Sequence, residues 1–464
     1  MRILLINPSQ STVYGMPMPQ SHPPLGLLYV GAVLEARGHE VRIIDEDVDH
    51  LSGLALKQCI ADVHPDVVGI TSTTPVFPHA ASIAALAKAA GDIAVVLGGI
   101  HATIAAEESI QHEAIDVVVR GEGEGSAVLL MEALEQGKSL EGLEGISFRR
   151  DGEVVHNPDR GLIMDLDTLP FPGRHLLRRP FAYEPPDALY RPTTTIMTSR
   201  GCPYGCTFCC TKQIFGRRLR FRSIANVIEE IEHLVRNYGV RELQIMDDCF
   251  TAKRERVFEF RDALRAHGLT PAIAFGNGLR ADQVDDEIMS ALKEIGVYSV
   301  GFGVESGNEE ILARIKKGTT LDVIRNAFRL SKRYGFETWG FFMIGLPGET
   351  RETIRDTIRF AKELDPDFAK FIILKPYPGS EIHRELMSEH LIFKFDYTQY
   401  GPYTPPVHFL PSLSAKEIER WQRKANREFY LRPSKIWSHL RRLKSFEQLR
   451  HNLRSAWFIL KKSI

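Results

Sequence analysis

The sequence predicts an α/β fold in which a doubly wound, Rossmann-like parallel sheet precedes a partial (β/α)6 TIM-like barrel and a helical C-terminal extension. Two series of short apolar runs predict the two sheets, because strands that alternate with helical segments pair in parallel. The third observation is a glycine- and proline-rich loop with three cysteines, directly after the first strand of the second series. A chain of 464 residues is long enough for two or three such domains.

The composition and charge indicate an ordinary globular protein, with 44% apolar and 25% charged residues. A formal net charge of −1 argues against a nucleic-acid-binding protein. Four of the six cysteines lie between Cys202 and Cys210, which suits a reducing compartment better than a disulfide framework. Since no run approaches the roughly 18 apolar residues of a membrane span, and Met1–Asn7 is too short for a signal peptide, we expect a cytoplasmic protein, held at most at the inner membrane surface.

The first series contains short apolar runs bounded by polar residues or glycine, as expected for strands of a parallel sheet. They are Ile3–Asn7, Glu40–Asp45, Val67–Thr71, Ala94–Leu97 and Asp116–Arg120. Helical patterns lie between them, as in Leu27–Ala36 and Ala80–Ala90. Sheets of this kind bind ligands at the carboxyl ends of their strands. No G-x-G-x-x-G follows the first strand, so a dinucleotide site is only weakly indicated.

Glycines and small polar residues follow three of these strands and form a candidate ligand site. The candidate residues are Ser72, Thr73, Gly98, Gly99, Gly121 and Glu122. Glycine lets the backbone approach a large, flat ligand, and hydroxyl groups can hydrogen-bond to its edge. For any single loop, an ordinary turn is a better explanation of these residues than ligand binding. The prediction of a ligand site therefore rests on the three loops together.

A connector over residues 141–190 joins the two series. Asp151-Gly152, a favoured hairpin turn, separates two short strand candidates, Ile146–Arg149 and Val154–Asn157. The prolines that follow predict an ordered, stiff strap; they are Pro170, Pro172, Pro180, Pro185 and Pro186. The predicted division is a first domain over 1–140, a linker over 141–190, a second domain over 191–390 and a C-terminal extension over 391–464.

The second series contains six strand–helix repeats, which predict a parallel barrel or partial barrel with its chemistry at the carboxyl ends of the strands. The predicted strands are Thr194–Ser199, Glu242–Met246, Ala272–Phe275, Ser299–Phe302, Thr338–Ile344 and Phe368–Leu374. Among the helical patterns between them are Ile224–Asn237, Val284–Ile295 and Ile354–Leu364. The cysteine loop follows the first of these strands, where such a fold places an active site.

Cys202, Cys206 and Cys209 have the spacing C-x3-C-x2-C in this loop. Thiolates that converge from a compact loop suit a soft metal or an iron–sulfur cluster. Because a cluster usually takes four cysteines, three ligands would leave one iron open to a substrate or cofactor. A structural zinc site is the alternative, but it usually needs a second, distant cysteine pair.

Two other cysteines lie near this site, Cys210 beside the motif and Cys249 after the second strand of the barrel. We expect the Cys210 side chain to point away from a centre that Cys209 faces, because neighbouring side chains diverge. We expect Cys249 to be a buried small hydrophobe, with a role at the site as the alternative.

The cysteine spacing, with the aromatic Phe208 before the third cysteine, resembles the radical S-adenosylmethionine (SAM) family. The loops of the first series, together with Pro24-Leu25-Gly26, resemble the cobalamin-binding domain that precedes many radical SAM enzymes. The chain to about residue 430 is therefore similar to the class B radical SAM methyltransferases and related cyclases. The resemblance implies three cofactors: a [4Fe–4S] cluster on the three cysteines, SAM at the open iron, and cobalamin on the first domain.

The resemblance also implies contacts to SAM from residues at successive strand ends. The resemblance implies that Asp247 and Asp248 contact the amino group of SAM, and that Asn277 and Arg280 contact its carboxylate or ribose. It implies that Glu305 and Ser306 contact the ribose, and that Phe208 and Gly345 contact the adenine. Taken singly, each residue is explained as well by a turn or a helix cap. Their order behind the cysteine motif is what supports the set.

His50 marks a departure from many cobalamin proteins, in which the His of a D-x-H-x-x-G motif binds cobalt after the first strand. Here His50-Leu51-Ser52-Gly53 keeps H-x-x-G, but it follows the second strand, and Val48 stands in place of the Asp. We expect His50 to lie on the surface at the start of a helix, and cobalamin to bind without a protein His beneath the cobalt.

The activity implied by the resemblance is reductive cleavage of SAM to a 5′-deoxyadenosyl radical, followed by cobalamin-dependent methylation of an unactivated carbon. Cobalamin-dependent cyclisation or rearrangement is the alternative within the family, and a non-catalytic iron–sulfur sensor or scaffold is the alternative outside it. The implied partners are a small-molecule or lipid-like substrate and a reducing electron donor such as flavodoxin or ferredoxin, with no nucleic acid.

The C-terminal tail from Lys435 onward is basic, with eight Lys or Arg residues against one acid, Glu447. Apolar residues such as Trp437 and Trp457 recur at three- and four-residue steps and predict an amphipathic helix. Docking on the barrel with a solvated basic face is one interpretation. Peripheral contact with a membrane surface is the other.

Overall fold

The computed structural model describes residues 1–14, 22–183, 185 and 188–441, and it confirms the predicted fold class. The strands are β1 (Arg2–Asn7), β2 (Glu40–Asp45), β3 (Val67–Thr71), β4 (Ala94–Gly98), β5 (Val117–Val119), β6 (Ile146–Arg150), β7 (Glu153–His156), β8 (Thr193–Ile196), β9 (Ser199–Arg200), β10 (Arg220–Phe221), β11 (Glu242–Ile245), β12 (Ala272–Phe275), β13 (Val297–Glu305), β14 (Glu337–Ile344) and β15 (Phe368–Ile373). The helices are α1 (Ser11–Tyr14), α2 (Leu25–Glu35), α3 (Glu46–Asp49), α4 (Gly53–Val63), α5 (Phe77–Lys88), α6 (Ile100–Ile104), α7 (Ala106–Gln111), α8 (Gly123–Glu135), α9 (Thr211–Ile214), α10 (Ile224–Tyr238), α11 (Arg254–Ala266), α12 (Asp286–Glu294), α13 (Glu309–Arg314), α14 (Leu321–Arg333), α15 (Arg351–Leu364), α16 (Glu381–Ser388), α17 (Ala415–Tyr430) and α18 (Pro433–Arg441).

The first sheet has the strand order β2-β1-β3-β4-β5-β6-β7, and its first five strands are parallel. Its central strands β1, β3, β4 and β5 are mostly apolar and buried, because helices cover both faces of the sheet. Ile3 and Leu5 of β1 pack in one cluster with α2 and α8, while Leu4 and Ile6 pack in another with α4 and α5. The strand order reverses between β1 and β3, which opens a crevice at their carboxyl ends.

The predicted hairpin is present as β6 and β7, and it extends the first sheet by antiparallel pairing with β5. Asp151 and Gly152 both have positive φ, 53° and 88°, as a two-residue type I′ turn requires. The first sheet therefore continues beyond residue 140. The strap that follows is tied to the barrel by the buried Arg174, which donates to Thr195 O at 2.6 Å and pairs with Glu230 at 2.8 Å.

The second sheet has six parallel strands in the order β15-β14-β13-β12-β11-β8, with β8 and β15 at its edges. The barrel is thus partial, as the sequence predicts. The predicted strand Thr194–Ser199 is divided in two, because Ser199 and Arg200 turn away to pair with β10. Along β15, α17 covers the sheet, and Tyr430 Oη donates to Ala369 O at 2.8 Å.

The C-terminal extension is described as far as Arg441, so most of the predicted basic amphipathic tail lies outside the described residues. Within α18, Lys435 is buried and Nζ donates to Pro366 O at 2.5 Å. Trp437 is 57% exposed. Across the described part of the chain, helices that combine the length and apolar character of a membrane span are absent.

Candidate functional site

The cysteine loop, residues 201–210, lies at the carboxyl end of the first barrel strand. Gly201 has φ 97°, and a Cβ there would lie 2.4 Å from Arg218 O, so this turn requires glycine. Thr207 attaches the middle of the loop to the barrel, because its N–H donates to Ile315 O at 3.0 Å and its carbonyl accepts from Ile382 N at 3.1 Å. Cys202, Cys206 and Cys209 are each partly exposed in this fixed loop.

Asp247 holds the strand that leads into the loop. Its carboxylate accepts from Thr198 N at 2.6 Å, Thr198 Oγ1 at 2.5 Å and Ser199 Oγ at 2.6 Å. Burial raises the pKa of this carboxyl group, although these three hydrogen bonds oppose the rise. The side chain predicted to contact the amino group of SAM therefore has both oxygens engaged in positioning the cysteine loop.

Four buried charged side chains join the first domain to both sides of the cysteine loop. Arg200 pairs with Glu122 at 3.0 Å and with Glu124 at 2.5 Å, and Arg220 pairs with Glu122 at 2.7 Å. Each of the four charged groups forms an ion pair with a group of opposite charge, and this attraction offsets the free-energy cost of removing the charges from water. The carboxylate of Glu122, a residue predicted to contact cobalamin, is bound by two arginines and by Ile163 N.

Asp248 and Cys249 lie next to Cys202. A hydrogen bond from Cys249, at 3.5 Å between the two sulfurs, lowers the pKa of Cys202 to about 6. Burial, followed by the charges of Cys202 and Asp247, raises the pKa of Asp248 to about 7. Among the described residues, Asp248 makes no hydrogen bond or ion pair, so its carboxylate is available to a ligand.

Arg280 and Lys317 bring positive charge to the cysteines. Both charges act on Cys202 and Cys206 and oppose the burial that raises the pKa of Cys206. The Arg280 guanidinium lies 3.4 Å from the centroid of the Tyr204 ring and donates to Lys317 O at 2.9 Å. The two positive charges favour the thiolate form, which is the form that binds iron, at Cys202 and Cys206.

Glu305 fixes Lys317 at this site through an ion pair of 2.7 Å, and both side chains are buried. Gly303 leaves room for the pair, since a Cβ there would lie 2.5 Å from Glu305 Oε1. Lys317 and Tyr204 were missed in the sequence, although Tyr204 lies inside the motif. Lys317 gives no local signal, because its segment meets the cysteine loop through a long-range contact, in which Thr207 N donates to Ile315 O.

The remaining residues predicted to contact SAM are Phe208, Asn277, Ser306 and Gly345. Phe208 packs partly buried against the barrel core, and the exposed Asn277 donates to Met246 O at 2.7 Å. Ser306 is fully buried with Oγ 3.2 Å from Thr357 Oγ1. Gly345, with φ 90°, donates to the buried Glu349 and accepts from His408. The structure therefore groups Asp248, Arg280 and Glu305 with the cysteines, and it engages Ser306 and Gly345 in internal contacts.

Cys210 points away from the motif, as expected, because its thiol donates to Pro378 O at 3.5 Å. Burial raises the pKa of this thiol to about 12. No three His, Cys, Asp or Glu side chains in the described ranges are arranged for one metal ion. A four-iron cluster offers a different iron to each thiolate, so its ligands need not converge on one atom.

A cavity of about 150 Å³ lies in the crevice between β1 and β3. Its lining includes Asn7, Gln10, Gly26, Thr71, Thr73 and Val76. Thr73, which was predicted to contact the ligand, and the Pro24-Leu25-Gly26 segment thus line the same cavity, at the point where the strand order of the sheet reverses. Ligand pockets commonly measure about 300–1,000 Å³, so this cavity is smaller than a typical ligand pocket and can border only part of a ligand as large as cobalamin.

Glycines shape the loops around this crevice. Gly99 has φ 94°, and a Cβ there would lie 2.9 Å from Ser72 N and 2.7 Å from Thr71 Oγ1. A Cβ added at Gly98 or Gly121 would meet no atom of the described residues within 4 Å, which leaves their backbone open to a ligand. The Ser72 hydroxyl is turned inward and donates to Thr73 O at 2.9 Å.

His50 is exposed, as expected, but it ends α3 with φ 55° instead of starting a helix. Ser52 precedes α4 and takes the position expected for His50. Asp45 caps α3 through Val48 N, so the segment after β2 makes one short helical turn before α4 begins.

Two protein-family models match separate parts of the chain. The B12 binding domain matches residues 12–130, and the radical SAM superfamily matches residues 196–361. An uncharacterized methyltransferase of Pyrococcus horikoshii is 36% identical over 93% of each chain. Cytidylyl-2-hydroxyethylphosphonate methyltransferase of Streptomyces wedmorensis is 30% identical over 94% of this chain and 92% of the relative. Anaerobic magnesium-protoporphyrin IX monomethyl ester cyclase of Rubrivivax gelatinosus is 30% identical over 87% and 73%.

Two solved structures share the fold. The radical SAM methyltransferase TsrM from Kitasatospora setae, with cobalamin and a [4Fe–4S] cluster bound, has a TM-score of 0.71 at 19% identity over 93% of this chain and 89% of that chain. The cobalamin-dependent SAM radical enzyme OxsB has a TM-score of 0.77 at 16% identity over 100% and 71%. The two family models, with relatives at least 30% identical over most of this chain, show that the chain belongs to the B12-binding radical SAM family, as an enzyme of the methyltransferase or cyclase type whose cofactors are a [4Fe–4S] cluster, SAM and cobalamin.

Proposed function

We propose that the protein is a methyltransferase that acts on an unactivated carbon of a small-molecule or lipid-like substrate. The observation that carries this proposal is the similarity to two relatives named methyltransferases, at 36% and 30% identity, over more than nine-tenths of their length. The proposed division of the chain keeps the cobalamin domain, linker, radical SAM domain and C-terminal extension. We place the first boundary after β7, because the first sheet continues to that strand.

Cys202, Cys206 and Cys209 are the proposed cluster ligands. When bound, the cluster supplies the electron that cleaves SAM, and cobalamin supplies the methyl group. The chain contributes a rigid loop, held by Thr207 and Asp247, and a positive environment from Arg280 and Lys317. The loop holds three cysteine side chains in one place, and the positive charges favour the thiolate form of Cys202 and Cys206, the form that binds iron.

Asp248 is the proposed partner of the SAM amino group, because its carboxylate lies beside Cys202 without a partner among the described residues. Arg280 retains guanidinium N–H groups for the SAM carboxylate beyond its ion pair with Asp282 at 2.9 Å. Asn277, Glu305 and Phe208 remain proposed contacts to the ribose and adenine. We propose that Asp247, Ser306 and Gly345 act indirectly, by shaping the strand ends.

The crevice between β1 and β3 is the proposed cobalamin site. Thr73 lines it, and the open backbone at Gly98 and Gly121 allows close approach of a large ring. Gly99 brings the neighbouring loops into contact. The exposed position of His50 at the end of α3 supports cobalamin binding without this histidine as a cobalt ligand.

Cyclisation is the second candidate, because the cyclase of Rubrivivax gelatinosus is also 30% identical. The two reactions differ in what happens to the methyl group of SAM. A methyltransferase leaves it in the product, whereas a cyclase forms a new bond within the substrate and leaves no methyl group there.

The test is anaerobic incubation of the reconstituted enzyme with SAM carrying a deuterated methyl group, cobalamin, a reductant and fractionated small-molecule and lipid extracts. We expect 5′-deoxyadenosine, S-adenosylhomocysteine and one extract component that gains the labelled methyl group. A component altered in mass without the label would favour cyclisation. A reductant such as flavodoxin or ferredoxin should replace dithionite in the same assay.

A further inference from the structure

Cys249 contacts a motif cysteine although it lies outside the motif. It follows Asp248 at the carboxyl end of β11, it is 3% exposed, and its Sγ lies 3.5 Å from Cys202 Sγ. A buried thiol is usually an inert, small hydrophobe. This thiol, however, is directed at the sulfur that we assign to iron.

The direction of the hydrogen bond follows from the chemistry of the ligand. Cys202 binds iron as a thiolate and has no proton to donate, so the Cys249 thiol must be the donor. Hydrogen bonds to the sulfurs are among the features that set the reduction potential of a cluster. A donor stabilises the reduced cluster more than the oxidised one, because the reduced cluster carries one more negative charge.

We propose that Cys249 is a positioning residue of the cluster site, whose thiol donates a hydrogen bond to the Cys202 sulfur and raises the reduction potential of the cluster. This inference rests on the proposed role of Cys202 as an iron ligand. Cys249 binds no iron and gives up no proton in the reaction. It eases the transfer of one electron from the external reductant to the cluster.

Cys210 provides a matched control. It is adjacent to the motif cysteine Cys209, and it is partly buried, but its thiol donates to Pro378 O at 3.5 Å. Removing this thiol takes a cysteine from the neighbourhood of the motif without removing a donor to a motif sulfur.

The experiment is a redox titration of the reconstituted cluster, followed by electron paramagnetic resonance, in wild type, Cys249→Ala, Cys249→Ser and Cys210→Ala. We expect a shift to more negative potential in Cys249→Ala. The shift should be smaller in Cys249→Ser, because a hydroxyl group keeps the donor, and Cys210→Ala should match wild type. Equal potentials in wild type and Cys249→Ala, or equal shifts in the Ala and Ser variants, would overturn the inference.

A further variant keeps the test decisive if Cys249→Ala does not retain its cluster. Cys249→Val fills the same buried position with an apolar side chain of similar size and removes the donor. Loss of the cluster from both apolar variants, with retention in Cys249→Ser, supports the hydrogen bond, whereas loss from all three overturns it. Failure of the wild-type chain to bind a cluster would instead contradict the proposed ligands.

Discussion

Asp247 and Asp248 are adjacent carboxylic acids whose surroundings give them different roles. Both carboxylate oxygens of Asp247 accept hydrogen bonds from Thr198 and Ser199, whereas the carboxylate of Asp248 has no hydrogen-bond or ion-pair partner among the described residues. We expect Asp248→Asn to weaken SAM binding about tenfold or more, because a hydrogen bond to a charged group contributes about 1.5–3 kcal/mol. Equilibrium binding of SAM to the anaerobic, reconstituted protein measures this change, and iron content should stay at the wild-type level.

Asp247→Asn is the matched comparison. It replaces an acceptor of three hydrogen bonds beside the cysteine loop, so we expect it to lower the iron content and the thermal midpoint. Weakened SAM binding in Asp247→Asn at full iron content, together with normal binding in Asp248→Asn, would reverse the two assignments.

At the scale of elements, the conformation of the loop after β4 requires glycine at position 99 but not at the adjacent position 98. Gly99 has φ 94° and no room for a Cβ, whereas a Cβ added at Gly98 would meet no described atom within 4 Å. We expect Gly99→Ala to destabilise the first domain by about 1–3 kcal/mol and to weaken cobalamin binding. Denaturation and cobalamin titration measure the two effects. Gly98→Ala should fold normally, and equal stability of the two variants would contradict this account of the loop.

The link between the first domain and the cysteine loop is the buried group of Glu122, Glu124, Arg200 and Arg220. Glu122→Ala leaves two arginines short of a partner, which should reduce the free energy of unfolding by about 3–5 kcal/mol. We also expect faster loss of iron, because Arg200 and Arg220 flank the loop. The exposed pair of Glu141 with Arg150 gives a control, since Glu141→Ala should cost about 1 kcal/mol or less. Similar losses in both variants would contradict the proposed link.

At the scale of the whole molecule, local patterns predicted the sheets well and long-range contacts poorly. The bounds of Glu40–Asp45 and Ala272–Phe275 agree with the structure because apolar runs between polar residues determine buried strands. The predicted strand Thr194–Ser199 is divided because its last residue pairs with Phe221. This pairing leaves no trace in the local sequence.

The site was predictable to the same extent. The cysteine motif is local, and the structure places it at the expected strand end. The pairing of Glu122 with Arg200 and Arg220 was not predictable, because these two arginines lie far along the chain. Lys317 reaches the cysteines through the same kind of long-range packing. Cys249 was expected to be buried, and it is, but its contact with Cys202 depends on the packing of β11 beside β8.

Contact with a membrane remains a prediction for the tail. Lys435 docks on the barrel, whereas Trp437 is 57% exposed. Beyond Arg441 the sequence has six further Lys or Arg residues, each of which contributes about 1 kcal/mol near an anionic surface. We expect the full chain to sediment with anionic vesicles at low salt, and a chain ending at Arg441 to sediment less. Equal sedimentation of the two chains would remove the membrane hypothesis.

The most direct test of the central claim is release of 5′-deoxyadenosine from SAM by the reconstituted, dithionite-reduced protein. All three motif cysteines are replaced by alanine in the comparison variant, so that none of the proposed cluster ligands remains. We expect wild type to bind iron and sulfide and to release 5′-deoxyadenosine, and the triple variant to do neither. Release at the wild-type rate by the triple variant, or no release by iron-loaded wild type with any substrate fraction, would contradict the central claim.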